Sequence, residues 1–127
     1  MKIILPFSIL TFLLSGCAAM SVEQCKTANW LNVGEKDGAA GRESRLDQYY
    51  SSCQKANIIP NQSLYEKGYQ KGLSYYCRPE TIFNEALEGR GDFRVCPLEK
   101  RESLRSYYRV ANNYYQANSE FNRSQSD

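Results

Sequence analysis

Apolar and small residues recur every three or four positions along most of the chain after residue 20. This spacing is typical of one face of an α-helix. It predicts a helix with one break over 21–57, further helices over 63–76 and 80–88, and a long helix from residue 97. Pro97 at the start of the last segment fits a helix N-terminus. We therefore expect a small all-α bundle of four to five helices with a long C-terminal helix.

Two of these segments carry glycines on one predicted helix face. In the first segment the face contains Trp30, Gly34, Asp37, Gly38 and Gly41, and in the segment over 63–76 it contains Gly68 and Gly72 between tyrosines. Glycine costs about 1 kcal/mol relative to alanine inside a helix, so its repeated use needs a structural reason. We expect the two glycine faces to pack together. Gly41 either belongs to this face or ends its helix.

The N-terminal segment is typical of a bacterial lipoprotein signal peptide. Lys2 precedes an apolar run over 3–14, and small residues then lead to Cys17 in Leu14-Ser15-Gly16-Cys17. The run spans only about 18 Å as a helix, less than a bilayer's hydrocarbon core of about 30 Å. An ordinary signal peptide with a chance cysteine is the alternative. We expect cleavage after residue 16 and acylation of Cys17, and several acyl chains anchor a protein stably.

This processing site sets the predicted organisation of the chain. Residues 1–16 are the signal peptide, 17–24 a lipidated tether, 25–121 one helical domain and 122–127 a polar tail. Ala18 after the acylated cysteine favours the outer membrane of a Gram-negative host, facing the periplasm. Loss of Lys2 lowers the formal net charge from +2 to +1. That charge does not indicate a nucleic-acid partner, so the membrane is the partner expected.

The cysteine count supports export. With Cys17 assigned to the lipid, the remaining four are Cys25, Cys53, Cys77 and Cys96. In an oxidising compartment they are expected to form two disulfides, for which three pairings exist. We favour Cys25–Cys53 and Cys77–Cys96, because each pairing closes a short loop around one helical unit. A zinc site of four thiolates is the alternative, but paired C-x-x-C spacing is absent.

Longer motifs resemble a known family. They are Trp30-x-x-x-Gly34-x-x-Asp37-Gly38-x-x-Gly41 between two cysteines, Tyr65-x-x-Gly68-x-x-x-Gly72-Leu73-x-x-Tyr76-Cys77-x-Pro79, and Val95-Cys96-Pro97. Their combined spacing resembles the DUF2799 family of small bacterial lipoproteins of unknown function. Phe93 and Ala86 depart from the family pattern, which usually has tyrosine and glycine there. The resemblance implies a membrane anchor and two disulfides, and it brings no activity with it.

Candidate catalytic chemistry is limited, because histidine is absent and the four cysteines are expected to be oxidised. A carboxylate remains as an acid or base, and Asp37 on the glycine face is the best candidate. The alternative is that Asp37 pairs with Arg42 or with a helix terminus. We expect no catalytic residue, metal site or cofactor.

A binding role is the leading functional expectation. The chain has ten tyrosines, which serve well at interfaces and against sugars, although most are expected to fill the core. Arg101, Arg105 and Arg109, with Tyr108, form a candidate surface on the last helix, unless they are simply a solvated mixed face. We expect a non-enzymatic envelope lipoprotein that binds a protein or glycan. A periplasmic inhibitor or a carboxylate-dependent hydrolase of envelope polymers is the alternative.

Overall fold

The computed structural model describes residues 19–127, and within this range helices are the only regular secondary structure. The helices are α1 Val22–Thr27, α2 Trp30–Ala39, α3 Leu46–Cys53, α4 Gln62–Tyr76, α5 Pro79–Leu87 and α6 Leu98–Ser126, with 3-10 turns at Gln54–Ala56 and Phe93–Val95. The predicted all-α, disulfide-stapled fold with a long C-terminal helix is confirmed. The predicted signal peptide and Cys17 lie outside the described residues.

The segment predicted over 21–57 contains one more helix boundary than expected. The first helix starts as predicted at a capping box, in which Ser21 and Gln24 bond to each other's main-chain N–H groups at 3.2 and 2.8 Å. A second cap follows at Asn29, whose side chain accepts a hydrogen bond from the Asn32 N–H at 3.1 Å. Because this cap starts a new helix, the described chain has six α-helices instead of five.

The centre of the fold is the contact between α2 and α4. Gly34 and Gly38 of α2 face Gly68 and Gly72 of α4. A methyl group on any of the four would collide with a main-chain carbonyl of the opposite helix. Those carbonyls belong, in the same order, to Tyr65, Tyr69, Leu31 and Glu35. The two helix backbones thus touch directly, which explains why glycines are kept here despite their cost in a helix.

Gly41 does not lie at this contact, so its placement on the glycine face is corrected. It follows the end of α2 in a left-handed conformation, with φ of +66°. A left-handed backbone favours glycine because other residues have a Cβ that clashes there. The ring of Tyr76 lies directly against Gly41, so a side chain would also displace that ring.

Two disulfides close the fold with the favoured pairing. Cys25 bonds to Cys53 and Cys77 bonds to Cys96, so the four-thiolate zinc site is excluded. Each disulfide lies in its own apolar cluster. The first cluster also contains Trp30, Leu46, Tyr49 and Tyr65, and the second contains Leu73, Tyr76, Ile82 and Leu104. Helix α4 contributes to both clusters and joins them.

The packed region begins earlier than the predicted domain start at Cys25. Ala19 and Met20 are partly buried against the first apolar cluster. The Met20 Sδ lies 3.9 Å from the Cys53 Sγ, next to the first disulfide. Residues assigned to a tether are therefore part of the folded unit.

Helix α6 is longer than the sequence predicted. It continues through the predicted polar tail over 122–127 and ends at Ser126, with all of those side chains exposed. Helix formers such as Gln and Arg can extend a helix that tertiary packing has already nucleated. No helix in residues 19–127 has the length and apolar composition needed to span a bilayer.

Candidate functional site

Asp37 lies at the centre of a buried polar cluster. Its Oδ2 accepts hydrogen bonds from the Tyr49 hydroxyl at 2.7 Å and from the Tyr65 hydroxyl at 3.0 Å. Its Oδ1 pairs with the Arg42 guanidinium at 3.1 Å. The Tyr65 hydroxyl in turn accepts a hydrogen bond from the Arg45 N–H at 3.0 Å. The carboxylate therefore ties α2 to α3, to α4 and to the turn between α2 and α3.

The two tyrosines are held in their neutral form. Burial raises the pKa of Tyr65 to about 12, and the nearby Asp37 carboxylate contributes to that rise. The pKa of Tyr49 is also raised, first by burial and then by its hydrogen bond to Asp37. A phenol that must donate to a carboxylate cannot ionise without placing two negative charges side by side.

This geometry argues against the hydrolase hypothesis that uses Asp37. Only 2% of the residue is exposed, and both carboxylate oxygens are occupied by donors from within the domain. Asp37 lines an adjacent surface groove together with Arg42 and Tyr49, and both of these side chains are bonded to its carboxylate. A catalytic carboxylate must approach the group whose proton it transfers. Asp37 is instead a structural residue, as the alternative interpretation of the sequence stated.

Tyr76 plays a comparable part in the other half of the molecule. Its hydroxyl accepts a hydrogen bond from the Asp92 N–H at 2.8 Å, while its ring lies against Gly41. The Asp92 side chain bonds to Arg94, and this pairing lowers the pKa of the Asp92 carboxyl. Tyr76 thus holds the 89–92 turn close to the turn that follows α2.

The four residues of the candidate surface predicted on the last helix have different surroundings in the structure. The Arg101 Nε donates to the Cys96 carbonyl at 2.7 Å, so Arg101 helps to fix the second disulfide. Arg105 pairs with Glu102 at 3.3 Å. Tyr108 is partly buried and packs on Phe93, with ring centroids 5.4 Å apart. Arg109 is exposed, and it forms no ion pair with any other residue of the range 19–127.

The larger exposed feature of α6 is apolar. We call it the outer stripe, and it consists of Tyr107, Val110, Tyr114, Ala117 and Phe121. The four large members are 46%, 64%, 65% and 60% exposed in chain order. At 100° per residue the outer stripe lies about 90° around the helix from Leu104 and Ala111, which are buried against the domain. Helix α6 therefore has two apolar faces, of which one is packed.

Sequence reasoning missed this division because it treated the apolar residues of the last helix as one set. The signal was present in the register. Residues 104, 108, 111 and 115 follow one helical track, while 107, 110, 114, 117 and 121 follow another. Only the contacts of the first track with α5 and with the Phe93–Val95 turn show which one faces the core.

A shallow apolar groove borders the outer stripe. It lies between α5 and α6 and is lined by Pro79, Phe83 and Tyr107, together with Glu80 and Asn84. Because Tyr107 belongs to both features, the groove and the outer stripe form one continuous surface. Within residues 19–127, no group of three or more His, Cys, Asp or Glu is arranged to hold a metal ion.

The fold and these contacts define a class of small helical domain, in which two disulfides flank a pair of helices joined through glycines. The chain belongs to the DUF2799 family, described as a protein of unknown function, and the family model matches residues 29–113. The match begins at the cap of α2 and ends within α6. No curated protein and no solved structure matches the chain.

Proposed function

We propose that the protein is a lipid-anchored component of the bacterial cell envelope that acts by binding another envelope component and not by catalysis. The observation that carries the proposal is the Leu14-Ser15-Gly16-Cys17 sequence. The two disulfides support export, since disulfides persist in oxidising compartments. An outer-membrane location facing the periplasm follows if the host is Gram-negative, because Ala18 follows the cysteine.

The packing of the first described residues bears on how such an anchor would act. Ala19 contacts the first apolar cluster and stands two residues after Cys17 in the chain. Two residues span at most about 7 Å even when fully extended. An acylated Cys17 would therefore hold the domain directly at the bilayer surface. Binding would then take place within a few nanometres of the membrane.

The binding role rests on the outer stripe and the groove beside it. Monomeric domains seldom expose large contiguous apolar patches without a function, and aromatic residues are enriched at protein interfaces. The exposed members include two tyrosines and a phenylalanine. In contrast, the best catalytic candidate, Asp37, is enclosed and fully paired. The side chains that remain available are suited to contact and not to proton transfer.

Replacement of the acylated cysteine tests the anchor. The full chain and its Cys17→Ser variant are expressed in a Gram-negative host with radiolabelled palmitate, and membranes are separated by density. We expect the parent chain to be labelled and to sediment with the outer membrane, and the variant to lose its label. Cys25→Ser is the matched control, because it removes another cysteine without touching the lipobox. A labelled Cys17→Ser variant would refute the anchor.

A second candidate function is inhibition of a wall-degrading hydrolase, and the loop between α3 and α4 favours it. Ile59 in this loop is 80% exposed, while the neighbouring Ile58 is partly buried and Pro60 is buried. A loop fixed on both sides of a protruding apolar residue can enter an active-site cleft. Turbidity assays with a muramidase and purified peptidoglycan test this function. Inhibition that disappears in Ile59→Asp but not in Leu98→Asp would support it, and absence of inhibition by the parent chain would reject it.

A further inference from the structure

The outer stripe has the spacing of a coiled-coil seam. Its five residues follow one another at intervals of three, four, three and four, which is the apolar pattern of a heptad repeat over two heptads. A surface helix that contacts only its own domain needs apolar residues on its packed face and not on the face turned away from the domain. The pattern therefore points to a second helix packed along α6.

Residue size alternates along this seam. The first position of each heptad is a large aromatic residue, namely Tyr107, Tyr114 and Phe121. The fourth position is small, namely Val110 and Ala117. A helix with this pattern packs best against a partner that offers small residues opposite its aromatic ones, because cores are filled to high density without voids.

A second copy of α6 running in the opposite direction offers this match. In one antiparallel register, Tyr107 of the first copy lies opposite Ala117 of the second, and Val110 of the first lies opposite Tyr114 of the second. The twofold axis repeats both pairs with the two copies exchanged. Each aromatic residue then faces a small one. Parallel copies would place each residue opposite itself, which sets tyrosine against tyrosine and leaves a void between the alanines. We propose that the envelope component bound at this surface is a second copy of the chain, in a twofold-symmetric homodimer formed through the outer stripes of two antiparallel α6 helices, and this inference rests on the proposed binding role.

The flanks of this pairing are compatible with association. In the same register Asn113 lies near its own counterpart and Ser106 lies near Glu120, so no like charges are opposed. Phe121 falls one layer beyond Tyr107 of the other copy, and Tyr107 also lines the groove between α5 and α6. A groove lined by Pro79 and Phe83 provides apolar surface for that side chain.

The expected dimer is modest in strength. Aromatic side chains bury about 150–250 Å² when fully covered, so the exposed fractions of the outer stripe provide about 500 Å² for each copy. The total of about 1,000 Å² is the lower limit for a specific interface. A shared membrane would raise the local concentration of the two copies. A twofold axis perpendicular to the bilayer allows both anchors to enter the same leaflet, although the pairing itself does not depend on the anchor.

Cysteine pairs placed across the seam test the direction of the helices. Two differently tagged full-length chains, one carrying Tyr107→Cys and the other Ala117→Cys, are expressed together in cells and analysed on non-reducing gels. We expect a mixed disulfide-linked dimer, because these positions are opposite each other in the antiparallel pair. Neither variant expressed alone should give this product, since Tyr107 does not meet itself. Gln116→Cys replaces Ala117→Cys in the matched control, because residue 116 points away from the outer stripe.

Each outcome decides the proposal. A mixed dimer at least several-fold more abundant with Ala117→Cys than with Gln116→Cys supports the antiparallel pair. Linked dimers from Tyr107→Cys alone would indicate parallel helices and overturn it, as would equal yields from both cysteine positions. Absence of any product, with both chains present and their native disulfides intact by peptide mapping, would show that the outer stripe does not pair two copies. Peptide mapping also separates this failure from misfolding, and the palmitate test of the anchor is independent of it.

Discussion

The two disulfide-bonded halves of this domain solve the same packing problem with different side chains. The half closed by Cys25–Cys53 packs glycine against backbone and buries a charged residue, Asp37, with three partners. The half closed by Cys77–Cys96 packs aliphatic and aromatic residues on one face of α6. In the first half, the glycines of the helix contact and Asp37 lie inside the domain. The second leaves a row of apolar side chains exposed on the outer stripe.

This difference separates residues that hold the fold from residues that are free to bind. A buried carboxylate with every oxygen paired is costly to change and cannot meet a ligand. An exposed apolar side chain contributes little to folding, so its retention needs another reason. The comparison therefore favours the second half as the location of the proposed binding surface, although the most distinctive sequence motifs lie in the first.

The largest effect is expected at the contact of α2 with α4. Gly68→Ala should destabilise the domain by more than about 4 kcal/mol or prevent folding, because its methyl group meets the Leu31 carbonyl of a rigid helix. Alanine would otherwise favour the helix by about 1 kcal/mol, so the sign of the effect is diagnostic. Urea unfolding of Gly68→Ala and of the exposed control Lys67→Ala measures it. A stabilised Gly68→Ala variant would mean that the two helices do not touch.

Removal of each disulfide compares the halves directly. The double variant Cys25→Ala with Cys53→Ala opens a connection between residues 28 apart, and Cys77→Ala with Cys96→Ala opens one between residues 19 apart. Chain entropy predicts a loss of about 3–4 kcal/mol for each. Nearly equal shifts in the unfolding midpoint are expected. If only one of the two double variants lost stability, the other half of the domain would be shown to fold without its disulfide.

Asp37→Asn tests the buried cluster. The amide keeps the shape of the carboxylate but weakens two tyrosine hydrogen bonds and the pairing with Arg42. We expect a loss of about 2–3 kcal/mol, since hydrogen bonds to charged groups contribute about 1.5–3 kcal/mol. Asp47→Asn, on the exposed side of α3, is the control and should change stability by less than about 0.5 kcal/mol. Equal effects of the two variants would contradict a structural role for Asp37.

Alkaline pH should destabilise the same cluster. Burial raises the pKa of Tyr65 from 10.0 to about 12, so the folded state keeps this phenol neutral while the unfolded chain ionises. Its contribution to stability is complete below pH 10 and is lost as the pH rises towards 12. Stability measured by urea unfolding should fall less steeply in Tyr65→Phe across this window. The parent chain and the variant would follow parallel curves if Tyr65 titrated normally.

The smallest effect on stability is expected at the outer stripe. Tyr114→Ala should alter the free energy of unfolding by less than about 0.5 kcal/mol, because the side chain is 65% exposed. The same change should sharply reduce cross-linking between Tyr107→Cys and Ala117→Cys chains. Asn118→Ala, also exposed on α6, should change neither quantity. A large loss of stability in monomeric Tyr114→Ala would place Tyr114 in the core and remove the contrast between the halves.

Much of the fold could be read from local patterns. Helical spacing, the Ser21 capping box and short cysteine loops all act over a few residues or over one chain segment, so they located the helices and the disulfide pairing. The repeated glycines also predicted a close helix contact. Gly41 was misplaced because a glycine at the end of a helix and one on its face have the same spacing.

The candidate site was harder to predict, because it depends on which residues meet in space. The arginines of the last helix share a regular spacing, yet Arg101 bonds to the Cys96 carbonyl and Arg105 bonds to Glu102. Asp37 was the best catalytic candidate by position along the helix. Its partners Tyr49 and Tyr65 come from 12 and 28 residues away, and no local pattern indicates that their hydroxyls converge on one oxygen.

The sequence by itself determined the helical class, the expectation of two disulfides with one favoured pairing, and the expectation of an acylated Cys17. These features depend on periodicity, loop length and a linear processing signal. Only the tertiary structure decided that Asp37 is enclosed and that α6 has one packed and one exposed apolar face. The physical reason is that burial depends on neighbours distant in the chain. A helix with two apolar tracks does not itself specify which of them the rest of the domain will cover.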